Sequence, residues 1–331
     1  MRHSAVTFSD RIRRLVSEGQ NWDVIFCSDI LNLAEFLGLS PQPVQELPSI
    51  VYFHENQLTY PIRFESERDY QFAVTNMTSA LAATSVWFNS AFHRDSFLEA
   101  LTVFLKKMPD YQPTDVVERI RDKALVYPPG VDVIRKWDDR EAGPMRILWA
   151  ARWEHDKNPE DFFETLKILK SRGVQFRISV IGEQFREAPE AFEWAYQHFA
   201  EHIDRWGYQK SRKEYEVILA QVDVFVSTAK HEFFGITALE AILAGAYPVL
   251  PKRLAYPEIM GLTEDEHAEE FFYDGSVSDL VNKLVTLAER VTKDRLWTED
   301  ARHVAQSMER FRWDNLVGTL DDAVERGRFN H

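Results

Sequence analysis

Apolar positions along the chain form short runs and helical stripes that alternate, and the alternation occurs twice. SAVTFSDRIRRLVSEG carries Val6, Ile12, Leu15 and Val16 at roughly helical spacing and stops at Gly19, which predicts a helix. WDVIFCSD reads as a buried strand, and LNLAEFLGL as a short helix after it. LPSIVYFHENQ reads as a second strand whose end delivers His54, Glu55, Asn56 and Gln57. A helix is predicted from about Glu67 to Ala83, followed by a strand in SVWFNS, a helix from near Phe92 and a strand in KALVYPPGVD. Pro128-Pro129-Gly130 then reads as a hinge to a new unit.

From Met145 the pattern restarts. MRILWAAR, FRISVIGE, HIDRWGY, VDVFVST and AYPVL read as strands. Between them PEDFFETLKILKSRG, the stretch from Pro189 to Ala200, SRKEYEVILAQ and GITALEAILAG read as helices. Strands alternating with helices predict parallel α/β sheets. Two such series separated by a hinge predict two doubly wound, Rossmann-like domains facing each other across a cleft. The expected division is residues 1–140, residues 141–312 and a C-terminal helix at 313–331 that packs back, anchored by Trp313.

Composition narrows the class. The 331 residues are enough for two domains with separate cores, and 45% hydrophobic with 28% charged residues describes a globular chain. A single cysteine, Cys27, rules out an internal disulfide and points to a reducing compartment. No apolar run approaches the roughly 20 residues of a membrane span, and the N-terminus has no signal-peptide core, so the expectation is a cytoplasmic protein without stable membrane insertion. The formal charge of −14 argues against broad electrostatic capture of nucleic acid or anionic lipid. Residues 1–125 hold 12 Lys/Arg against 16 Asp/Glu. Any RNA contact there must be local, through arginines such as Arg2, Arg11, Arg13, Arg14, Arg63, Arg68 and Arg94, each of which also reads as ordinary surface charge.

The chemistry concentrates in TAKHEFFGITALEAILAGAYPVL, where Glu232 and Glu240 stand eight positions apart. If Gly235 opens a helix, they are separated by about 12 Å along its axis. Carboxylates that share acid–base work on one glycosidic bond stand roughly 5 to 9.5 Å apart. This pair suits an extended ligand gripped at two points instead. The helix start between them, near Phe234, Gly235 and Ile236, offers free N–H groups to an anion. Hydroxyls, then phosphate, then hydroxyls would match: a sugar, a diphosphate and a ribose. ARWEHDKNPEDF places Arg152 and Lys157 directly after the first strand of the second domain. In open α/β sheets ligands bind beyond the strand C-termini, so these cations are expected in the same crevice, where they could neutralise a departing diphosphate. The adjacent pairs His54-Glu55 and His231-Glu232 do not have the spacing of a zinc site.

Arg-x4-Lys after a strand, Glu-x7-Glu with an internal Phe-Gly, and a Gly-Ala-x-Pro-Val strand resemble the retaining glycosyltransferases of the GT-B fold, family 4. VYPPGVD is similar to that family's inter-domain linker. YFHENQLTYP, ERDYQF, SALAATSVWFNSAFHRDSFL, RWEHDKNPEDFF, STAKHEFFGITALEA and YPEI further resemble the tRNA-queuosine α-mannosyltransferase group.

The resemblance implies a hexosyltransferase that moves mannose from GDP-mannose to queuosine in tRNA, with retention and with no metal required. It implies that Arg152 and Lys157 bind the diphosphate, that Glu232 holds sugar hydroxyls and that Phe233, Phe234 and Gly235 offer backbone amides. Glu240 would take the ribose, and His54 would face the donor sugar. Glu55, Asn56, Gln57, Tyr70, Gln71, Asn89 and Ser90 are candidates for the acceptor side. The group normally begins with a further strand and a glycine-rich loop, whereas this chain opens at Met1-Arg2-His3, so an N-terminal strand is expected to be missing. Other readings are transfer to a lipid or small-molecule acceptor, a non-catalytic nucleotide-sugar or RNA-binding relative, and a GT-B epimerase. Oligomeric state is not legible.

Overall fold

β-Branched and aromatic runs become the strands of two parallel sheets in the computed structural model, which describes residues 3–61, 70–109, 111–132, 142–184 and 189–329. The chain divides into two compact units, Met1–Pro129 with Leu316–His331, and Gly130–Asn315.

In the first unit, β1 (Ile25–Ser28), β2 (Ser49–Phe53), β3 (Ser85–Phe88) and β4 (Ala124–Val126) lie side by side in sequence order, all parallel. β2, SIVYF, is buried at every position, as expected of a strand covered on both faces. Successive side chains alternate between those faces. Val51 and Phe53 join Leu33, Phe36, Val86, Phe88 and Phe97 in one core, while Ile50 and Tyr52 join Trp87 in another. The second core is closed by Leu320, Ala323 and Val324 of the last helix, Trp313–Phe329. Each fully buried phenylalanine stabilises the fold by about 1.5–3 kcal/mol. Trp313 packs on Gly130, where a Cβ would run into its ring, yet it stays 43% exposed.

In the second unit, β5 (Met145–Ala150), β6 (Phe176–Ile181), β7 (Ile203–Gly207), β8 (Val224–Val226), β9 (Tyr247–Pro251) and β10 (Phe272–Tyr273) form a parallel sheet in the order β10-β9-β8-β5-β6-β7. The chain winds outward from β5 in one direction, returns, and winds outward from β8 in the other. That reversal opens a crevice at the C-terminal ends of β5 and β8. In the first unit the four described strands show no reversal.

The helix expected from Glu67 is described from Tyr70 to Ala82, and residues 67–69 lie outside the described residues. Helices left unassigned by pattern include Asp115–Arg121, Val277–Thr292 and Glu299–Ser307, and the single turns Gln42–Gln45 and Tyr256–Ile259. Val277–Thr292 is capped by Ser276, whose side chain accepts from Asp279 N, and packs Leu280, Leu284, Leu287 and Val291 inward. No helix of the described residues is long and apolar enough to cross a membrane.

Candidate active site

Two adjoining cavities open at the β5/β8 reversal. One, of about 220 Å³, is lined by Arg152, Lys157, Thr228, Glu232, Gly235 and Tyr256 among others. The other, of about 430 Å³, is lined by Glu183, Tyr208, Arg212, Tyr215 and Glu240 among others. Ala150, Ala151, Arg152 and Thr237 line both. The four charged groups singled out in the sequence therefore converge on one crevice, with Arg152 at the junction.

Buried hydrogen bonds stitch together the loops that carry these groups. Trp149 Nε1 donates to Thr228 Oγ1 (3.1 Å), and that hydroxyl donates to the Lys157 carbonyl (2.8 Å). Lys230 N donates to the Asp156 carbonyl (2.8 Å), so the segments after β5 and after β8 hold each other. Asn158 turns through a left-handed conformation (φ 52°), and Pro159 then starts the next helix. A side chain at Gly182, past the end of β6, would run into the Ala151 carbonyl oxygen, so only glycine lets that strand end lie this close to the cavity wall.

Lys157 is 8% exposed. Its Nζ donates to the His231 carbonyl (2.7 Å) and stands 3.1 Å from Asp156 Oδ2 and 3.4 Å from Glu232 Oε2. Burial alone would lower its pKa, but the Glu232 and Asp156 carboxylates outweigh burial and hold it above the ordinary lysine value. His231 goes the other way. Burial and the neighbouring Lys157 cation push its pKa down to about 4, so its imidazole is neutral at physiological pH.

Glu232 turns one oxygen back on its own chain: Oε1 accepts from Phe233 N (3.2 Å) and Phe234 N (3.4 Å). The amides of Phe233 and Phe234, expected to serve a ligand, are thus engaged by Glu232. Gly235 is the N-cap of helix Ile236–Leu243 at φ 96°, and a Cβ there would lie 2.9 Å from the Tyr256 ring. Tyr256 is buried, and its hydroxyl is paired with Ser227 Oγ (2.8 Å). Glu240 is held by two side chains: Oε1 accepts from Arg212 (2.6 Å) and Oε2 from Tyr215 Oη (2.7 Å). Arg212 also bonds Glu216 (3.0 Å). Thr228, Tyr256, Arg212 and Tyr215 carried no signal in the sequence pattern.

The first unit has a polar cluster of its own at the strand ends. His54 follows β2, exposed, with its ring 4.7 Å from that of Tyr52. Burial on that side lowers its pKa, and Glu55 opposes the shift. Gln57 Nε2 donates to Glu55 (3.4 Å), and the buried Asn56 accepts from Thr59 N and Oγ1. Asn89 donates to the His54 carbonyl, and Ser90 caps helix Ala91–Lys106 by accepting from His93 N. Tyr70 is not part of this cluster. It stacks on Phe104, near the far end of the helix that Ser90 caps, about 20 Å along its axis. Gln71 is the next residue of the Tyr70 helix. Of the arginines considered for RNA, Arg13 bonds Asp10 and the Leu39 carbonyl, and Arg94 bonds Asp95. Arg2, Arg63 and Arg68 lie outside the described residues. Among the described residues no three His, Cys, Asp or Glu side chains group as a metal site.

Comparison with known proteins supplies the class. The family model "Glycosyl transferases group 1" matches residues 133–304, and "tRNA-queuosine alpha-mannosyltransferase N-terminal" matches residues 1–131. Among solved structures, Anabaena HepE in complex with UDP has a TM-score of 0.68 at 14% identity, over 95% of this chain and 82% of that one. A sucrose-phosphate synthase from Thermosynechococcus elongatus gives 0.65 at 15% identity, over 92% of this chain and 73% of that one. The fold is GT-B and the chain is a hexosyltransferase.

A tRNA-queuosine alpha-mannosyltransferase of Drosophila melanogaster is 38% identical over 269 residues, 78% of this chain and 70% of the relative. A GDP-mannose:cellobiosyl-diphosphopolyprenol alpha-mannosyltransferase of Xanthomonas campestris is 25% identical over 198 residues, 58% of this chain and 50% of that one. The chain belongs to the tRNA-queuosine alpha-mannosyltransferase family.

Proposed function

We propose that the protein transfers mannose from GDP-mannose to queuosine in tRNA, with retention at the sugar carbon. The observation that carries the donor half is the position of Arg152 in the wall shared by the two cavities. A diphosphate lying at that junction would put its sugar beside Lys157 and Glu232 and its nucleoside beside Glu240. Glu240, fixed by Arg212 and Tyr215, keeps lone pairs for ribose hydroxyls. Glu232 has Oε2 toward Lys157 and is the acceptor for sugar hydroxyls. Charge on the leaving diphosphate would be met by Arg152 and Lys157, so that no metal ion need supply it.

The acceptor half rests on the relative from Drosophila and on the match of the N-terminal model. We assign the His54–Gln57 loop to it, with His54 as the candidate catalytic group. In the step envisaged, the bond from sugar C1 to the phosphate oxygen breaks and a bond from C1 to the acceptor oxygen forms on the same face. The acceptor proton passes to the departing phosphate.

The test is transfer of labelled sugar. Purified protein is mixed with GDP-mannose and queuosine-containing tRNA, with GDP-glucose and with tRNA lacking queuosine as controls. Label on RNA in the matched pair alone is expected. With a polyprenyl phosphate supplied as a second acceptor, label on it but not on RNA would favour a lipid acceptor, and no label anywhere would leave a binding protein.

A further inference from the structure

The His54–Gln57 loop has no regular structure, yet buried polar side chains from three elements hold its backbone. Asp29, just past β1, accepts from His54 N through Oδ1 (3.0 Å). Asn89, just past β3, donates to the His54 carbonyl through Nδ2 (2.9 Å). Asn76, in helix Tyr70–Ala82, accepts from Gln57 N through Oδ1 (3.1 Å). All three are nearly inaccessible to solvent. The clamp is also braced within itself. Asn76 Nδ2 reaches the Asp29 carbonyl (3.4 Å), and Asn89 Oδ1 pairs with Nδ1 of the buried His93 (2.9 Å). Polar groups are unfavourable in a core unless bonded, and here three bonds fall on the backbone of His54 and Gln57, the two ends of the loop. Side chains that must act with sub-ångström placement need such support.

We propose that Asp29 is a positioning residue for glycosyl transfer, acting through the His54–Gln57 loop that carries His54 and Glu55. This rests on the assignment of that loop to the acceptor. Asp29 is the ionisable member of the clamp. Burial pushes its pKa up to about 7 against the His54 N–H, and Glu55 adds to the rise. The titratable groups around it are Cys27 on its own strand, itself pushed up to about 12 by burial, and His54 and Glu55 past β2. From the helix side it meets Asn76, which does not titrate. Above neutral pH a carboxylate forms in a pocket that disfavours it, beside the Glu55 side chain that the loop presents.

Steady-state transfer from GDP-mannose to queuosine-containing tRNA, followed from about pH 5.5 to about 8.5, separates this role from a merely structural one. Asp29→Ala leaves His54 N without its acceptor and is expected to lower kcat at least about tenfold, with the KM for GDP-mannose within about twofold of the parent. Asp29→Asn keeps an Oδ1 acceptor. It is expected to restore most of the turnover, and to lack the decline in kcat above about pH 7 that is expected of the parent. Asn89→Ala, which frees the loop from its other side, is expected to repeat the kcat loss, and it serves if Asp29→Ala does not fold. Parental kcat in both alanine variants, or a parental pH profile in Asp29→Asn, overturns the proposal while leaving the transferase reading intact. A parent protein that transfers nothing to this tRNA overturns both.

Discussion

Replacing Lys157 with methionine should unfold the second unit at a much lower temperature. The Lys157 side chain is 9% exposed and stands within 3.4 Å of two carboxylates, one of which, Asp156, is only 6% exposed. Methionine fills most of the space of the lysine stem, so little cavity is left. What goes is the ammonium, leaving Asp156 buried without a cation, Glu232 partly so, and the His231 carbonyl without its donor. Removing one partner of a buried ion pair costs about 3–5 kcal/mol. For a unit of this size, Gly130–Asn315, each kcal/mol moves Tm by about 2–4 °C, so the expected fall is roughly 6–20 °C. Differential scanning calorimetry of the full chain measures it. Adding Glu232→Gln to Lys157→Met should recover part of the loss, because one uncompensated charge is removed. A single variant melting within about 2 °C of the parent, with no recovery in the double variant, would mean that the Lys157 ammonium does not stabilise the second unit.

Gly235→Ala places an L side chain at φ 96° with its Cβ 2.9 Å from the Tyr256 ring. A loss of about 1–3 kcal/mol is expected in urea titration, and an unchanged midpoint would mean that the turn is not constrained. Arg152→Ala removes a side chain that is 41% exposed, so stability should move by less than about 0.5 kcal/mol while kcat falls at least about tenfold, more than donor affinity does. Unchanged kcat and KM would remove it from the site. Asp29→Asn tests linkage. Burial raises the native carboxyl's pKa from the ordinary 3.8 to about 7, so it is neutral in both states at low pH, and its unfolded form sheds the proton first as pH rises. Native stability is therefore lost between about pH 4 and 7. The variant should match the parent near pH 4 and exceed it above pH 7 by up to about 4 kcal/mol, by chemical denaturation at each pH. A constant difference across that range would contradict the assignment.

Most strands were legible because each is a short run of apolar, β-branched or aromatic residues closed by a polar strand end, as in SIVYF followed by His54-Glu55-Asn56-Gln57. Arg152, Lys157, Glu232 and Glu240 were legible because strand ends and a glycine-led helix start fix where side chains gather. Helix Val277–Thr292 was missed although Ser276 and Asp279 give it a cap, since no strand run beside it drew attention. What holds Glu240 was beyond reach: Arg212 and Tyr215 lie 28 and 25 positions away and meet it only once β8 and its helix have folded. The occupation of the Phe233 and Phe234 amides by Glu232 likewise depends on a side-chain rotamer, which no spacing rule encodes. Tyr70 shows the converse limit. Its helix does reach the His54–Gln57 loop, through Asn76, but Tyr70 stands six residues earlier in that helix and stacks on Phe104.

The donor reading proposed above puts one sugar nucleotide across the two cavities of the second unit, with Arg152 at its diphosphate and Glu240 at its ribose. Calorimetric titration of GDP into the full chain tests it most directly, alongside Glu240→Ala. One site per chain is expected, with an affinity at least about tenfold weaker in the variant, a change of about 1.4 kcal/mol or more. No binding to the parent, or equal affinity in the two proteins, would contradict it.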